Sequence, residues 1–203
     1  LVPNGSPYYR GKHETRLNHM VGRVVETELP LIYLNMVGGQ DDQVFDGGSF
    51  ALNAHGALAH QMGVFDEEMR VVELADTGEG WKIVKGDMVS LPSAWEQDYR
   101  CMVEGLRDYM GKTGFKKVLL GLSGGVDSAI VATIAVDALG AENVRCVMLP
   151  SEYTSQASLK DAKDIATRLG CHYDIVPIKA GRDAVSETLA PLFEGYASDV
   201  TEE

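Results

Sequence analysis

Ser123, Asp127 and Ser128 are the residues of this 203-residue chain best placed to do chemistry, because of what surrounds them in Lys117–Ser128, KVLLGLSGGVDS. An apolar stretch ends in Ser123-Gly124-Gly125, and Asp127-Ser128 then opens a helical pattern. Strand, glycine turn and helix N-terminus in that order build an anion cradle. The N–H groups of a first helical turn have no acceptor inside the helix, and glycines let a phosphate chain approach them closely. The run is not a Walker A loop, since no Gly-Lys-Ser/Thr follows, and it is not G-x-G-x-x-G. It reads as a pyrophosphate loop. Gly121 closes the strand, the N–H groups of Gly124, Gly125 and Val126 face the anion, and the Ser123 and Ser128 hydroxyls hold it. The carboxylate of Asp127 would repel phosphate unless a Mg²⁺ ion lay between them. Taken alone, the residues leave a plainer reading open: Asp127 caps the helix, and the glycines serve a tight turn.

The elements that must position this loop follow from periodicity. Strands are expected at 117–121, 143–149 (ended by Pro150) and 172–178. Helices are expected at 127–139 (ended by Gly140), 158–169 (ended by Gly170) and 184–193. Alternation at this spacing predicts a parallel sheet with covering helices. A further helix is expected over 93–109, with Ser93 and Glu96 spaced as a capping box. Nearer the start, Leu17, Met20, Val21 and Val24 predict a helix over 16–28, which Lys12–Glu14 can begin. Strands are expected at 31–36, 49–53, 58–64 and 71–74, with a glycine-rich turn at 38–42. Residues 75–92 lack periodicity and read as a linker. The expected organisation is therefore a strand-rich unit over 1–75 resembling half of a sheet, a linker over 76–92, and a second domain over 93–203.

Composition narrows the partners. Thirty acidic against eighteen basic residues give a net charge of −12, and no basic patch is evident, which argues against nucleic acid. Cys101, Cys146 and Cys171 are isolated, with no CxxC or Cys/His ligand spacing, so zinc is unsupported and a reducing, cytoplasmic location is expected. No apolar run reaches membrane-spanning length and no signal-peptide pattern opens the sequence, so no membrane association is expected.

SGGVDSA, Ser123–Ala129, resembles the signature of the ATP pyrophosphatases, or adenine nucleotide α-hydrolases. That resemblance implies a doubly wound α/β fold that cleaves ATP between its α and β phosphates while adenylating a carbonyl or carboxyl group. It implies Asp127 as a Mg²⁺ ligand and Leu149 near the adenosine. The stretch Leu149–Ser155, with Ser158 and Asp161-Ala162, resembles the corresponding part of the NAD synthetases; by themselves those serines also suit loop and helix capping, Ser158 as an N-cap. Asn4-Gly5-Ser6-Pro7-Tyr8, Gly11-Lys12, Arg16, Asn35–Asp41 and Phe45–Ser49 together resemble the back half of a nitrilase-type glutaminase domain, an α/β sandwich. Bacterial glutamine-dependent NAD synthetases join such a domain directly to an SGGxDS domain. In that pattern Ser6 and Lys12 bind glutamine; without it, Ser6-Pro7 is a turn and Lys12 a solvated surface residue.

The resemblance places the family's catalytic Glu, Lys and Cys upstream of Asn4–Tyr8. Cys101, Cys146 and Cys171 read as small apolar fillers, so no glutaminase catalytic residue is expected here. Thr201-Glu202-Glu203 resembles the start of a segment that contributes to the deamido-NAD site. The expectation is thus a middle portion of a ligase that amidates deamido-NAD to NAD through an adenylate, with glutamine-derived ammonia and release of AMP and pyrophosphate. A homo-oligomer is expected. Two alternatives remain. One is another ATP-pyrophosphatase amidotransferase, against which the nitrilase-like half argues; the other is a non-catalytic nucleotide-binding module.

Overall fold

Leu17, Met20, Val21 and Val24 recur at helical spacing, and in the computed structural model helix α1 (Lys12–Thr27) forms over them, beginning at the early edge of the expected range. The structure describes residues 1–84 and 86–195. Their contacts group into one unit, Leu1–Gly114, and a second that begins at Phe115.

In the first unit, β1 (Val2–Asn4), β2 (Leu31–Asn35), β5 (Phe50–Leu52) and β6 (Leu58–Gln61) form a four-stranded sheet in the order β1-β2-β5-β6. The β1–β2 pair is parallel and the rest antiparallel. Alternation along β5 sends Phe50 and Leu52 to one face and Ala51 to the other. Phe50 and Leu52 pack with Tyr33, Val24 and the apolar stripe of α1, and the Tyr33 and Phe50 rings stack at 4.9 Å. On the opposite face Ala51 and Ala59 meet Ile83.

Ile83 comes from the segment expected to be a linker. Of the strand expected at 71–74 only Leu74 is in a strand; it opens β7 (Leu74–Asp76), which runs into the expected linker and pairs with β8 (Trp81–Ile83) as a hairpin. The Asn53 amide pins it by accepting from Ile83 N–H at 2.7 Å and donating to Ile83 C=O at 3.0 Å. Periodicity missed it because three-residue strands are too short to show a period.

The expected glycine turn at 38–42 also resolves differently. β3 (Val37–Gln40) and β4 (Gln43–Asp46) pair as a hairpin turned only at Asp41-Asp42. Gly38 and Gly39 lie inside a strand because α2 (Ala94–Thr113) crosses it: a Cβ on Gly39 would stand 3.1 Å from Asp108 Oδ2. Ser93 caps α2 as expected, its Oγ accepting from Glu96 N–H at 3.3 Å, and Lys112 donates to Gly39 C=O.

In the second unit β9 (Val118–Gly121), β10 (Val144–Met148) and β11 (His172–Ile175) form a wholly parallel sheet ordered β11-β10-β9. Helices α3 (Val126–Leu139) and α4 (Gln156–Leu169) connect the strands, and α5 (Lys179–Leu189) follows. Val144, Cys146 and Met148 of β10, Ala132 and Ala135 of α3, and Ala162 and Ala166 of α4 are all buried, and both helices contact β10. Small residues on the buried helix faces let the helices approach the sheet closely. The fold class expected from sequence is present: a parallel nucleotide-binding sheet preceded by mixed sheets of the nitrilase-like kind. Two bounds shift. Helix α4 is capped by Ser155 rather than Ser158, and α5 begins at Lys179 rather than Ala184. Thr201–Glu203 lies outside the described residues. Among those residues, no helix is long and apolar enough to cross a membrane.

Leu52 is fully buried between α1 and the sheet. Leu52→Ala is expected to cost about 2–5 kcal/mol, and Ser93→Ala, which removes one cap, about 1 kcal/mol. Urea unfolding of both variants would rank them in that order.

Candidate functional site

The pyrophosphate loop occupies the carboxyl end of β9. Gly121 ends the strand and Leu122 is buried, so the chain is anchored just before it turns. Gly124 adopts φ 86°, a left-handed conformation, and its backbone passes so near the start of α4 that a Cβ would overlap the Ser158 carbonyl oxygen. Both conditions require glycine. Gly125 then sits at the N-cap of α3, and the N–H groups of Val126, Asp127 and Ser128 fall in its first turn without intrahelical acceptors.

Hydrogen bonds among the serines fix the turn. Ser128 Oγ accepts from Ser123 N–H at 3.2 Å and donates to Gly125 C=O at 3.0 Å. Ser123 Oγ accepts from Gly125 N–H at 3.3 Å and lies 3.1 Å from Ser128 Oγ. Ser128 therefore braces the loop as well as facing it. The α4 cap is built alike: Ser155 Oγ accepts from Ser158 N–H at 3.0 Å, and the two hydroxyls are 2.9 Å apart.

A cleft of about 470 Å³ opens between these loops, beyond the carboxyl ends of β9 and β10. Gly121, Ser123, Leu149, Tyr153, Ser155 and Ser158 are among its walls. Leu149 stands one residue past β10 and is half exposed, an apolar surface suited to a flat ring. The structure thus brings Gly121, Ser123 and Leu149 together. Gly124, Gly125, Val126, Asp127 and Ser128 are not walls of the cleft; the Val126 and Asp127 side chains are exposed in the first turn of α3, so Val126 can offer only its N–H. Asp127 is not the helix cap, a place taken by Gly125. Asp127 lies in the first turn of α3. Among the described residues no cluster of three or more His, Cys, Asp or Glu is arranged to hold a metal. A single carboxylate suits Mg²⁺ only where substrate phosphates complete its coordination.

The second candidate site lies in the first unit and rests on a buried ion pair. Arg16 and Asp46 are 3% and 1% exposed and meet fork to fork, Nη1 to Oδ2 at 2.9 Å and Nη2 to Oδ1 at 2.7 Å. Arg16 Nε also donates to Ser6 Oγ at 3.0 Å, and Nη2 to the carbonyls of Ser6 and Pro7. Asn35 accepts from Ser6 N–H at 2.9 Å and donates to Ser6 C=O and Gly47 C=O. Ser6 is therefore held on every polar atom. Lys12 is half-buried at the start of α1, its ammonium 4.6 Å from the Tyr9 ring centroid.

Nearby, Tyr8 donates to Asp98 of α2 at 2.8 Å and Arg10 pairs with the same carboxylate. Arg10 and then Tyr8 hold Asp98 below the usual carboxylate range, while burial, followed by the Asp98 bond, raises the Tyr8 hydroxyl. Burial lowers the His13 imidazole, and Arg16 lowers it further. Reading residues singly missed Asp46 and Asn35 as supports of Ser6. One signal was available: Arg16, Met20 and Val24 are spaced by four, which puts a charge on the stripe that faces the sheet and demands a buried carboxylate.

Residues 98–201 match the NAD synthase family model, just over half of the chain. The chain belongs to the NAD synthase family. It is 58% identical to the glutamine-dependent NAD(+) synthetase of Rhodobacter capsulatus and 42% identical to that of Xylella fastidiosa Temecula1. Each alignment covers all of the chain and 37% of the relative. The chain thus spans little more than a third of these curated relatives. A solved structure of the Acinetobacter baumannii glutamine-dependent NAD+ synthetase in complex with ADP superposes with a TM-score of 0.91, at 37% identity, over 100% of this chain and 39% of that one. A Cytophaga hutchinsonii glutamine-dependent NAD(+) synthetase, at 16% identity and a TM-score of 0.78, shares the fold. The NAD synthase match begins inside α2, whereas that helix makes its contacts with the first unit.

Two thiols of this NAD synthase family member, Cys101 and Cys146, are held protonated by their surroundings. Burial pushes Cys101 up to about 11, with Asp46 adding to the effect. Burial, and then a contact with Cys171 at 3.6 Å, pushes Cys146 up to about 12. At pH 8 both should be alkylated by iodoacetamide at least ~100-fold more slowly than a free cysteine, because little thiolate forms; peptide mapping of the alkylated protein would check it. Gly124→Ala should displace the loop from α4, seen as shifted backbone amide resonances at Gly125 and Ser158.

Proposed function

We propose that the protein carrying this sequence is a glutamine-dependent NAD synthetase, amidating deamido-NAD to NAD with ATP and releasing AMP and pyrophosphate. The observation that carries this reading is the loop from Ser123 to Ser128, set at a helix N-terminus above a parallel strand, in a chain of the NAD synthase family. ATP would lie in the cleft with its adenosine against Leu149, a reading supported by the related Acinetobacter baumannii protein having been solved in complex with ADP. The nicotinate carboxylate attacks the α phosphorus, and the α–β bridging bond breaks to pyrophosphate. The N–H groups of Gly124, Gly125 and Val126, with the hydroxyls of Ser123 and Ser128, receive the charge that builds on the leaving group. The Gly124 packing holds the loop in place beforehand, while Gly125 N–H and the Ser128 hydroxyl would exchange their present bonds to Ser123 Oγ and Gly125 C=O for phosphate oxygens. Asp127 would hold Mg²⁺, which supplies neutralisation of the phosphate charge when bound. Ammonia then attacks the acyl carbon and AMP leaves.

Ser6 and Lys12 would contact the glutamine that supplies ammonia. Homo-oligomeric assembly and a cytoplasmic location complete the proposal; the three cysteines are free thiols, as a reducing compartment favours.

The test is ATP-to-AMP turnover with deamido-NAD, supplied with ammonia and then glutamine, using the longest reading frame that contains this sequence. Turnover with both donors is expected. Asp127→Asn should reduce turnover with either donor by about a hundredfold or more. Ser6→Ala should raise the KM for glutamine. ATP binding without turnover on deamido-NAD would sink the substrate assignment and favour a binding module.

A further inference from the structure

A hydroxyl has one proton to give and two lone pairs to receive with, whereas a guanidinium only donates. At Ser6 this difference has a consequence. Arg16 Nε–H occupies a lone pair of Ser6 Oγ at 3.0 Å and cannot take the Ser6 proton in return. The backbone on either side of that hydroxyl is equally constrained. Ser6 N–H is given to Asn35, and Ser6 C=O receives both Arg16 and Asn35. Neither the hydroxyl nor its backbone can turn without breaking a bond to a buried group. Arg16 itself cannot swing away, because both of its terminal nitrogens are committed to Asp46 in a site shut off from water.

We propose that Arg16, clamped by Asp46, is a positioning residue that sets the polarity of Ser6. It fills the acceptor side of the hydroxyl and leaves the proton directed outward, so that Ser6 presents a hydrogen-bond donor to an acceptor oxygen of the bound glutamine. The pairing with Asp46 also cancels the guanidinium charge, so Arg16 orients without attracting the ligand's carboxylate to itself. This inference rests on the reading of Ser6 as a glutamine contact. It adds Arg16 and Asp46 as the groups through which that contact is made, acting on the ligand only through Ser6.

The experiment compares glutamine- and ammonia-dependent NAD formation in the longest reading frame that contains this sequence, for the unmutated protein, Arg16→Lys, Ser6→Ala and the double variant. Lysine keeps the buried charge for Asp46 but cannot reproduce the fork that reaches Ser6. Arg16→Lys should raise the KM for glutamine about tenfold, the size of one lost hydrogen bond involving a charged group. The ratio of glutamine- to ammonia-dependent kcat/KM should fall by the same factor. In the Ser6→Ala background the same substitution should change the glutamine KM by less than about twofold, because its effect passes through the hydroxyl.

Equal effects with and without the Ser6 hydroxyl, or parallel losses with both donors, would overturn the proposal and leave Arg16 a structural residue. An unmutated protein active with ammonia but not with glutamine would instead overturn the reading of Ser6. Should Arg16→Lys prove too unstable to purify, the Arg16 Nε–H resonance of the unmutated protein is followed while glutamine is added. A shift that saturates with glutamine and is absent in Ser6→Ala supports the proposal, and no shift at saturating glutamine refutes it.

Discussion

The close approach of the Gly124 backbone to the carbonyl of Ser158 is the constraint on which the parallel-sheet unit depends. It locks the turn after β9 against the start of α4, so that the N-termini of α3 and α4 converge beyond the carboxyl ends of two neighbouring strands. Two helix N-termini and the hydroxyls of Ser123, Ser155 and Ser158 then border one cleft. The cradle proposed for a phosphate chain therefore exists before any ligand arrives, and Ala132, Ala135, Ala162 and Ala166, all buried, are the small residues on the helices beside it.

The strand-rich unit solves a different problem with charge. Burying Arg16 and Asp46 carries a desolvation cost that their attraction repays only with good geometry and full hydrogen bonding. Both conditions are met. Asp46 accepts both terminal nitrogens of Arg16, whose Nε and Nη2 also satisfy Ser6 and Pro7. Removing one partner of such a pair typically costs about 3–5 kcal/mol, so the pair fixes the chain near Ser6 more firmly than an apolar contact could. The Tyr8 and Arg10 bonds to Asp98 then tie the same segment to α2.

Much of this was legible beforehand. The apolar stretch before Ser123, the paired glycines and the hydroxyls after them marked the loop, because strand, turn and helix N-terminus each have a local chemical signature. Ser93 with Glu96 marked the start of α2 for the same reason. Gly38 and Gly39 misled, since glycine signals a turn and a close packing contact equally well. Ile83 was hidden in a stretch without period, and Ser155 rather than Ser158 capped α4 because two serines three residues apart are equivalent until the helix direction is fixed.

The sequence by itself determined the α/β alternation, the parallel sheet, the glycine turn between strand and helix at Ser123–Ser128 and the family, all of which depend on residues adjacent in the chain or at fixed periods. Tertiary structure alone decided that Asn35 and Arg16 hold Ser6, that Asp46 in turn holds Arg16, that Leu149 shares a cleft with Ser123, and that Asp127 stands outside its walls. Those relations join residues about 10 to 40 positions apart. Their distances are set by how sheets and helices pack, and no local preference in the chain encodes them.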